Sequence, residues 1–203
     1  MNRGIYPPLA GAMALERRLE VLSHNIGNLE TTGFKKDKPI FATVLGQTSG
    51  PSVAGIDLFP VLGGLPADRS QGVLAHSGAP LDVALQGEGF LVAKTPDGLR
   101  YFRGGSLQRN ESGNLVTHEG DPLLGKKGPI RVPPGEIVID NRGNVSVNNV
   151  AVDALRLEKI PEGEETSKVG NLYWTVPNKP TPALNTTVQQ GMLEKSNVNP
   201  ALD

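Results

Sequence analysis

The sequence has no cysteine. Disulfide staples and thiolate metal sites are therefore excluded. Aromatic residues make up only 4% of the chain and apolar residues 37%, so a core is possible but not rich. Positive charge is nowhere concentrated: the formal net charge is −1 and no long basic run exists. Phosphate backbones need a clustered cationic surface, so nucleic acid is excluded as the main partner. No apolar run reaches the roughly 18 residues of a membrane span. The start of the chain offers only Arg3 and then Pro7 and Pro8, without a continuous apolar stretch. It does not read as a cleaved signal peptide, and an exported chain of this kind is expected to leave by a route that reads none.

Catalytic patterns are also missing. Gly120-Asp121-Pro122-Leu123-Leu124-Gly125-Lys126 matches most of a P-loop, but Lys127 stands where a magnesium-binding hydroxyl belongs, and Gly128-Pro129 follows where a helix should start. Gly87-Glu88-Gly89 opens a dinucleotide fingerprint whose third glycine position is Val92, so a bulge or tight corner is the better reading. His24, His76 and His118 are scattered, none at metal-ligand spacing from a second histidine or a suitable carboxylate pair. There is no Gly-x-Ser-x-Gly elbow, and Glu162, Glu164 and Glu165 read as a solvated loop. The sequence reads as a protein that is not an enzyme, with no catalytic residue, metal, cofactor or small-molecule substrate.

What is present is an amphipathic helix followed by many short strands. Apolar residues recur at Ile5, Leu9, Ala12, Leu15, Leu19, Leu22, Ile26 and Leu29, at spacings of 3 and 4. That is one stripe on one side of a helix, with the spacing of a coiled-coil seam. Glu16, Arg17, Glu20 and Ser23 occupy the other side, a mixed face unlike the mainly basic one of a membrane-surface helix. Pro7 and Pro8 suit a first turn. The helix should run to about Leu29, with Gly33 as a left-handed C-terminal cap, and Gly27 weakens it unless another backbone approaches there.

From about Val73 the pattern is β. Gly 25 and Pro 17 in 203 residues imply many turns. Candidate strands are 81–85, 90–94, 100–103, 114–116, 130–132, 137–139, 145–147, 154–160 and 172–175. They are divided by turns at Asp97-Gly98, Ser112-Gly113 and Arg142-Gly143. The fold class is mainly β: an antiparallel β-domain of complex sandwich or barrel type, preceded by one long amphipathic N-terminal helix. The divisions are 1–36, helix and signature; 37–72, an extended connector; 73–188, the β-domain; and 189–203, a polar, irregular return segment.

Asn25-Ile26-Gly27-Asn28-Leu29-Glu30-Thr31-Thr32-Gly33-Phe34-Lys35 resembles the signature of the bacterial flagellar rod and hook family. Gln71-Gly72-Val73-Leu74, Pro80 to Phe90, Arg103-Gly104-Gly105-Ser106-Leu107, Gly113 to Val116 and Gly120 to Gly125 resemble the family's β-domain in family order. Gln190-Gly191-Met192-Leu193-Glu194-Lys195-Ser196-Asn197-Val198 resembles the segment that re-enters the helical core. The modest β-domain is more like a basal-body rod protein, proximal or distal, than a hook protein.

The resemblance implies a self-assembling helical tube that crosses the periplasm and transmits torque. It implies partners among copies of the chain, other rod and hook subunits and the flagellar type III export apparatus, and a place in the basal body. The assembly residues are then Leu9, Leu15, Leu19, Leu22, Ile26 and Leu29, buried against helices of the same and neighbouring subunits. Asn25 and Asn28 would satisfy backbone groups at the helix end, and Thr32, Gly33 and Phe34 would turn the chain outward. Gln190, Gly191, Leu193, Glu194, Ser196, Asn197 and Val198 complete the set. The family continues past this segment with a second amphipathic helix; this sequence ends at Asp203, so the stripe is expected to find its cover on another subunit. The alternative is a carbohydrate- or peptidoglycan-binding β-module without catalysis, which requires exposed aromatics among Phe90, Tyr101, Phe102, Tyr173 and Trp174.

Overall fold

The computed structural model describes residues 6–46, 57–64, 66–161, 164, 166–178 and 180–200. Ile5 of the stripe, Glu162 and Glu165 of the acidic loop, and residues 47–56 and 201–203 lie outside them. The chain forms two compact units. The first comprises Met1–Leu29, Lys35–Arg69 and Val198–Asp203, and the second Glu30–Phe34 and Ser70–Asn197.

In the first unit, α1 (Tyr6–Gly27) lies against a hairpin of β1 (Ile40–Gly46) and β2 (Asp57–Gly64). The segment read as a connector thus carries the two longest strands of this unit. The helix stops at Gly27, short of Leu29. Asn28 N–H donates to the Asn25 carbonyl (3.1 Å) and Leu29 N–H to that of Ile26 (3.2 Å), which winds the end into a tighter turn. Gly33 has the left-handed φ of 71°, but in a separate turn closed by Phe34 N–H to Thr31 O (3.2 Å). Below the hairpin the two legs stay paired: Lys38 N–H donates to Pro66 O (2.9 Å) and Asp68 N–H to Lys36 O (2.8 Å).

The second unit holds β3 (Leu74–His76), β4 (Asp82–Gln86), β5 (Gly89–Thr95), β6 (Gly98–Phe102), β7 (Gly104–Ser106), β8 (Gln108–Arg109) and β9 (Leu115–Val116). It continues with β10 (Ile137–Ile139), β11 (Asn144–Val147), β12 (Val150–Ala154), β13 (Leu157–Lys159), β14 (Ser167–Val169) and β15 (Tyr173–Thr175). Last come β16 (Thr181–Pro182), β17 (Thr187–Gln190) and β18 (Met192–Glu194). A six-stranded sheet runs β14-β15-β6-β5-β13-β16, beside three-stranded sheets β17-β4-β7 and β10-β11-β12 and the pairs β18-β3 and β8-β9. Every strand pairing is antiparallel, and the described strands close no barrel. The mainly β, antiparallel class with a single N-terminal helix is therefore the observed one.

The core joins these sheets through Val83, Leu85, Leu91, Ala93, Phe102, Leu115, Leu123, Ile130, Val145, Leu155, Tyr173 and Val188. β5 is buried on both faces from Gly89 to Ala93, which is why its sequence is a continuous apolar run rather than an alternation. The predicted strand 154–160 is two strands in different sheets, β12 and β13. The near-P-loop is a run of single β-bridges and turns, including Leu124 to Pro129. The return segment, read as irregular, pairs through β17 with β4 and through β18 with β3. Its polar residues carry little local strand signal; the ladder partners, about a hundred residues earlier, supply the order. Among the described residues, no helix is long and apolar enough to cross a membrane.

Candidate assembly site

Among the described residues of the first unit, large apolar side chains are exposed on α1 and, at Ile40 and Phe41, on β1. Leu9 is 53%, Leu15 62%, Leu19 64% and Ile26 55% exposed, joined by Met13 at 59%. A different side is less exposed: Ala14, Val21 and Leu22 are half-buried, and Asn25 and Asn28 are buried. At about 100° per residue, the Leu15–Leu19–Ile26 line lies beside this covered side. The apolar arc of α1 thus extends beyond its covered side. Leu29 is half-buried. A Cβ built on Gly11 or Gly27 meets nothing within 4 Å, so inside this chain neither glycine is required by a close neighbour.

The end of α1 is bolted to the segment that leads into β1. Asn25 forms two bonds to one residue: its Nδ2 donates to Asp37 O and its Oδ1 accepts from Asp37 N–H, both at 2.9 Å. Asn28 Nδ2 donates to His24 O at 2.9 Å, satisfying a carbonyl of the last turn. His24 Nδ1 lies 3.2 Å from Asp37 Oδ2. The second asparagine therefore serves the helix end, whereas the first reaches across to the backbone of Asp37, ahead of β1. Asp37 is the partner that sequence reasoning missed.

In the second unit, segments far apart in sequence converge on Arg103 and Glu194. Arg103 Nε donates to Glu194 Oε2 at 3.1 Å, and the two side chains are 2% and 0% exposed. The other Arg103 donors reach the carbonyls of Gly87 (2.6 Å), Gly89 and Leu85 (3.2 Å). Glu194 Oε1 accepts from Gly72 N–H at 2.9 Å. The Gly87-Glu88-Gly89 corner is thus a carbonyl cradle for a guanidinium. Gln71 braces it from the side, donating to Leu85 O (3.0 Å) and accepting from Gly87 N–H (3.1 Å). Gly72 must lack a side chain, because a Cβ there would stand 2.0 Å from Lys195 O.

The signature turn joins the same cluster. Gly33 N–H donates to Glu194 O at 2.7 Å, and Asn197 N–H to Phe34 O at 3.4 Å. Phe34 is fully buried. Lys168 Nζ lies 4.4 Å from the centre of its ring and 5.6 Å from that of Trp174. Trp174 meets Phe90 edge-on at 6.3 Å, and Arg103 lies over Phe90 at 5.6 Å. A chain of ring and cation contacts therefore runs from the signature phenylalanine to the buried ion pair. Thr32 is half-buried beside it.

The rest of the return segment is distributed along the unit. Gln190 ties Pro80 O (2.6 Å), Ile137 O (2.9 Å) and Ile139 N–H (3.0 Å). Gly191, at φ 72°, makes the corner into β18. Leu193 and Ser196 are half-buried; Val198, which belongs to the first unit, is buried. Arg103, Lys168 and Gly72 were not among the expected assembly residues, although Gly72 and Arg103 stand in stretches that resemble the family's β-domain. The available signal was a lone arginine between a buried strand and two glycines.

The five aromatics that a sugar-binding groove would expose are all buried: Phe90, Tyr101, Phe102, Tyr173 and Trp174 are each at most 4% exposed. Among the described residues no three His, Asp or Glu side chains are grouped as a metal site.

Residues 84–147 match the protein family described as flagellar hook protein FlgE/F/G D1 domain. Along its whole length the chain is 32% identical to flagellar basal-body rod protein FlgF of Mesorhizobium japonicum, covering 85% of that protein. It is 33% identical to FlgF of Rhizobium meliloti, over 98% of this chain and 83% of the relative. Against flagellar basal-body rod protein FlgG of Bacillus subtilis the identity is 29%, over 98% and 86%.

Proposed function

This chain belongs to the family of flagellar basal-body rod proteins, with a structural role in the rod, and from that premise we propose that its copies self-assemble into a helical tube that transmits torque. The observation that carries this reading is the apolar arc of α1, of which Leu9, Leu15, Leu19 and Ile26 remain more than half exposed. In a tube of stacked subunits these side chains pack against helices of neighbouring copies and of other rod and hook subunits. Each well-buried leucine contributes roughly 1.5–3 kcal/mol, so a few per subunit suffice for a cooperative polymer. The closed core of the β-unit resists deformation under load. The site is then the basal body, reached through the flagellar type III apparatus. The chain acts by packing alone, with no reaction and no cofactor assigned to it.

The test is charge placed on the stripe. L15D/L19D in the full chain leaves the Trp174 fluorescence and circular dichroism of the β-unit intact and abolishes sedimentable polymer and swimming. Normal polymer formation by this variant would overturn the reading.

A further inference from the structure

Arg103 and Glu194 form an ion pair with 2% and 0% side-chain exposure. A pair this deep adds little net stability, because desolvating two charges offsets most of their attraction; what it does supply is a penalty on every arrangement that separates them. Arg103 is held in place by the carbonyls of Leu85, Gly87 and Gly89. Glu194 stands on β18, a strand of only three residues paired with one equally short. Met192 and Leu193 on that strand are half-buried, so apolar patterning alone specifies its register weakly. Two residues to either side, on the same face of an extended segment, stand Met192 and Ser196, neither of which carries a charge. A slip of two residues would leave a buried guanidinium unpaired.

We infer that Arg103 and Glu194 are positioning residues that key the register of the return segment to the β-unit and, through it, to the signature turn. The second step is carried by backbone: Gly33 N–H bonds to the carbonyl of Glu194 itself, and Asn197 N–H to that of Phe34. The chain thus leaves the β-unit at Phe34 and at Asn197 side by side, and one ion pair sets how the two exits align. The purpose of that alignment, presenting both exits in fixed phase for assembly, rests on the reading proposed above. The key itself is internal to one copy.

The chain has no cysteine, so an introduced pair reports register without background. His76 and Met192 face each other across β3 and β18, at a position between the ladder bonds where backbones approach most closely. The test uses the full-length monomer with R103M/E194M, in which uncharged side chains of similar length replace the pair. Two readouts are taken: the unfolding transition of Trp174 fluorescence, and hydrogen exchange at the Gly33, Lys195 and Asn197 amides. The Trp174 transition persists, while those three amides lose protection by about tenfold or more. In the R103M/E194M background, H76C/M192C oxidises less completely than in the parent chain, and once the disulfide has formed the lost protection returns. Full retention of protection in R103M/E194M would show that the pair sets nothing. Loss in step with the core amides of Leu91 and Phe102 would show a merely structural pair. Either result overturns the inference. Should R103M/E194M fail to fold, E194Q carries the same comparison, since it keeps the shape and an acceptor for Gly72 N–H but puts an amide NH2 where an oxygen accepted from Arg103, removing both the charge and that hydrogen bond. Polymer pelleting is scored separately on the locked chain, so a failure of assembly is told apart from a failure of the register key.

Discussion

Tyr173 shows how much of a residue's behaviour is set by neighbours that sequence does not place beside it. Its hydroxyl lies 2.7 Å from Asp121 Oδ2 and 2.6 Å from Thr117 Oγ1. A carboxylate only accepts, so the phenol donates to Asp121 and Thr117 donates to the phenol. Burial pushes the Tyr173 hydroxyl well above its ordinary pKa of 10.0, and Asp121 beside it pushes the same way. The unfolded chain ionises this group at its ordinary value while the folded one keeps the proton. The associated stability is complete below pH 10 and is lost as the pH rises further. In Y173F, buried Thr117 and half-buried Asp121 each lose a bond, and the β-unit is destabilised by about 1–3 kcal/mol at neutral pH. The variant's stability also declines less steeply above pH 10. Denaturant melts of both proteins across that range check this; equal alkaline slopes would contradict it. The turn glycines were legible because turn chemistry is local: Gly98, Gly113 and Gly143 have φ of 121°, 81° and 80°. The hairpin turn Asn148-Asn149, with φ 48° and 65°, was passed over, since asparagine reaches that region without announcing it as glycine does. The Arg103–Glu194 pair spans 91 residues, and no local rule selects one acidic residue from among many.

At the scale of elements, periodicity reports which side of α1 is apolar but not how much of that side the chain covers itself. The stripe from Leu9 to Leu29 was legible; the division of the arc between the chain's own hairpin and open solvent was not, because the hairpin lies in a Gly- and Pro-rich stretch whose strand order comes from pairing β1 with β2. Gly27 tests the open side. A methyl group there meets nothing within 4 Å, and alanine favours a helix over glycine by about 1 kcal/mol. G27A therefore raises the helicity and melting temperature of the monomer. If a neighbouring subunit's backbone approaches at this point, the same methyl raises the critical concentration for polymer. G11A, equally open and near the start of the helix, is the comparison. A variant more stable as monomer and unchanged as polymer former would place the subunit contact away from Gly27.

The whole molecule joins a closed unit to an open one. The β-unit encloses its large apolar side chains, with Leu85, Leu91, Leu115, Leu123 and Ile130 at 0% exposure, whereas α1 leaves most of its stripe in water. Stability is therefore unevenly distributed along the monomer. Amides of Leu91 and Phe102 exchange only by global opening of their unit, and those from Leu9 to Leu19 exchange early, since a helix is held mainly by its packed face. Assembly changes the second set and not the first. A partner that binds only the folded helix stabilises it by mass action, so amides from Leu9 to Ile26 gain protection on polymerisation while Leu91 and Phe102 keep the values they had. Hydrogen exchange on monomer and pelleted polymer, resolved by peptide, separates the possibilities. Protection gained across α1 locates the subunit contact on the stripe. Protection gained only within residues 70–197, with α1 unchanged, would place the contact on the β-unit and remove the helix from the mechanism.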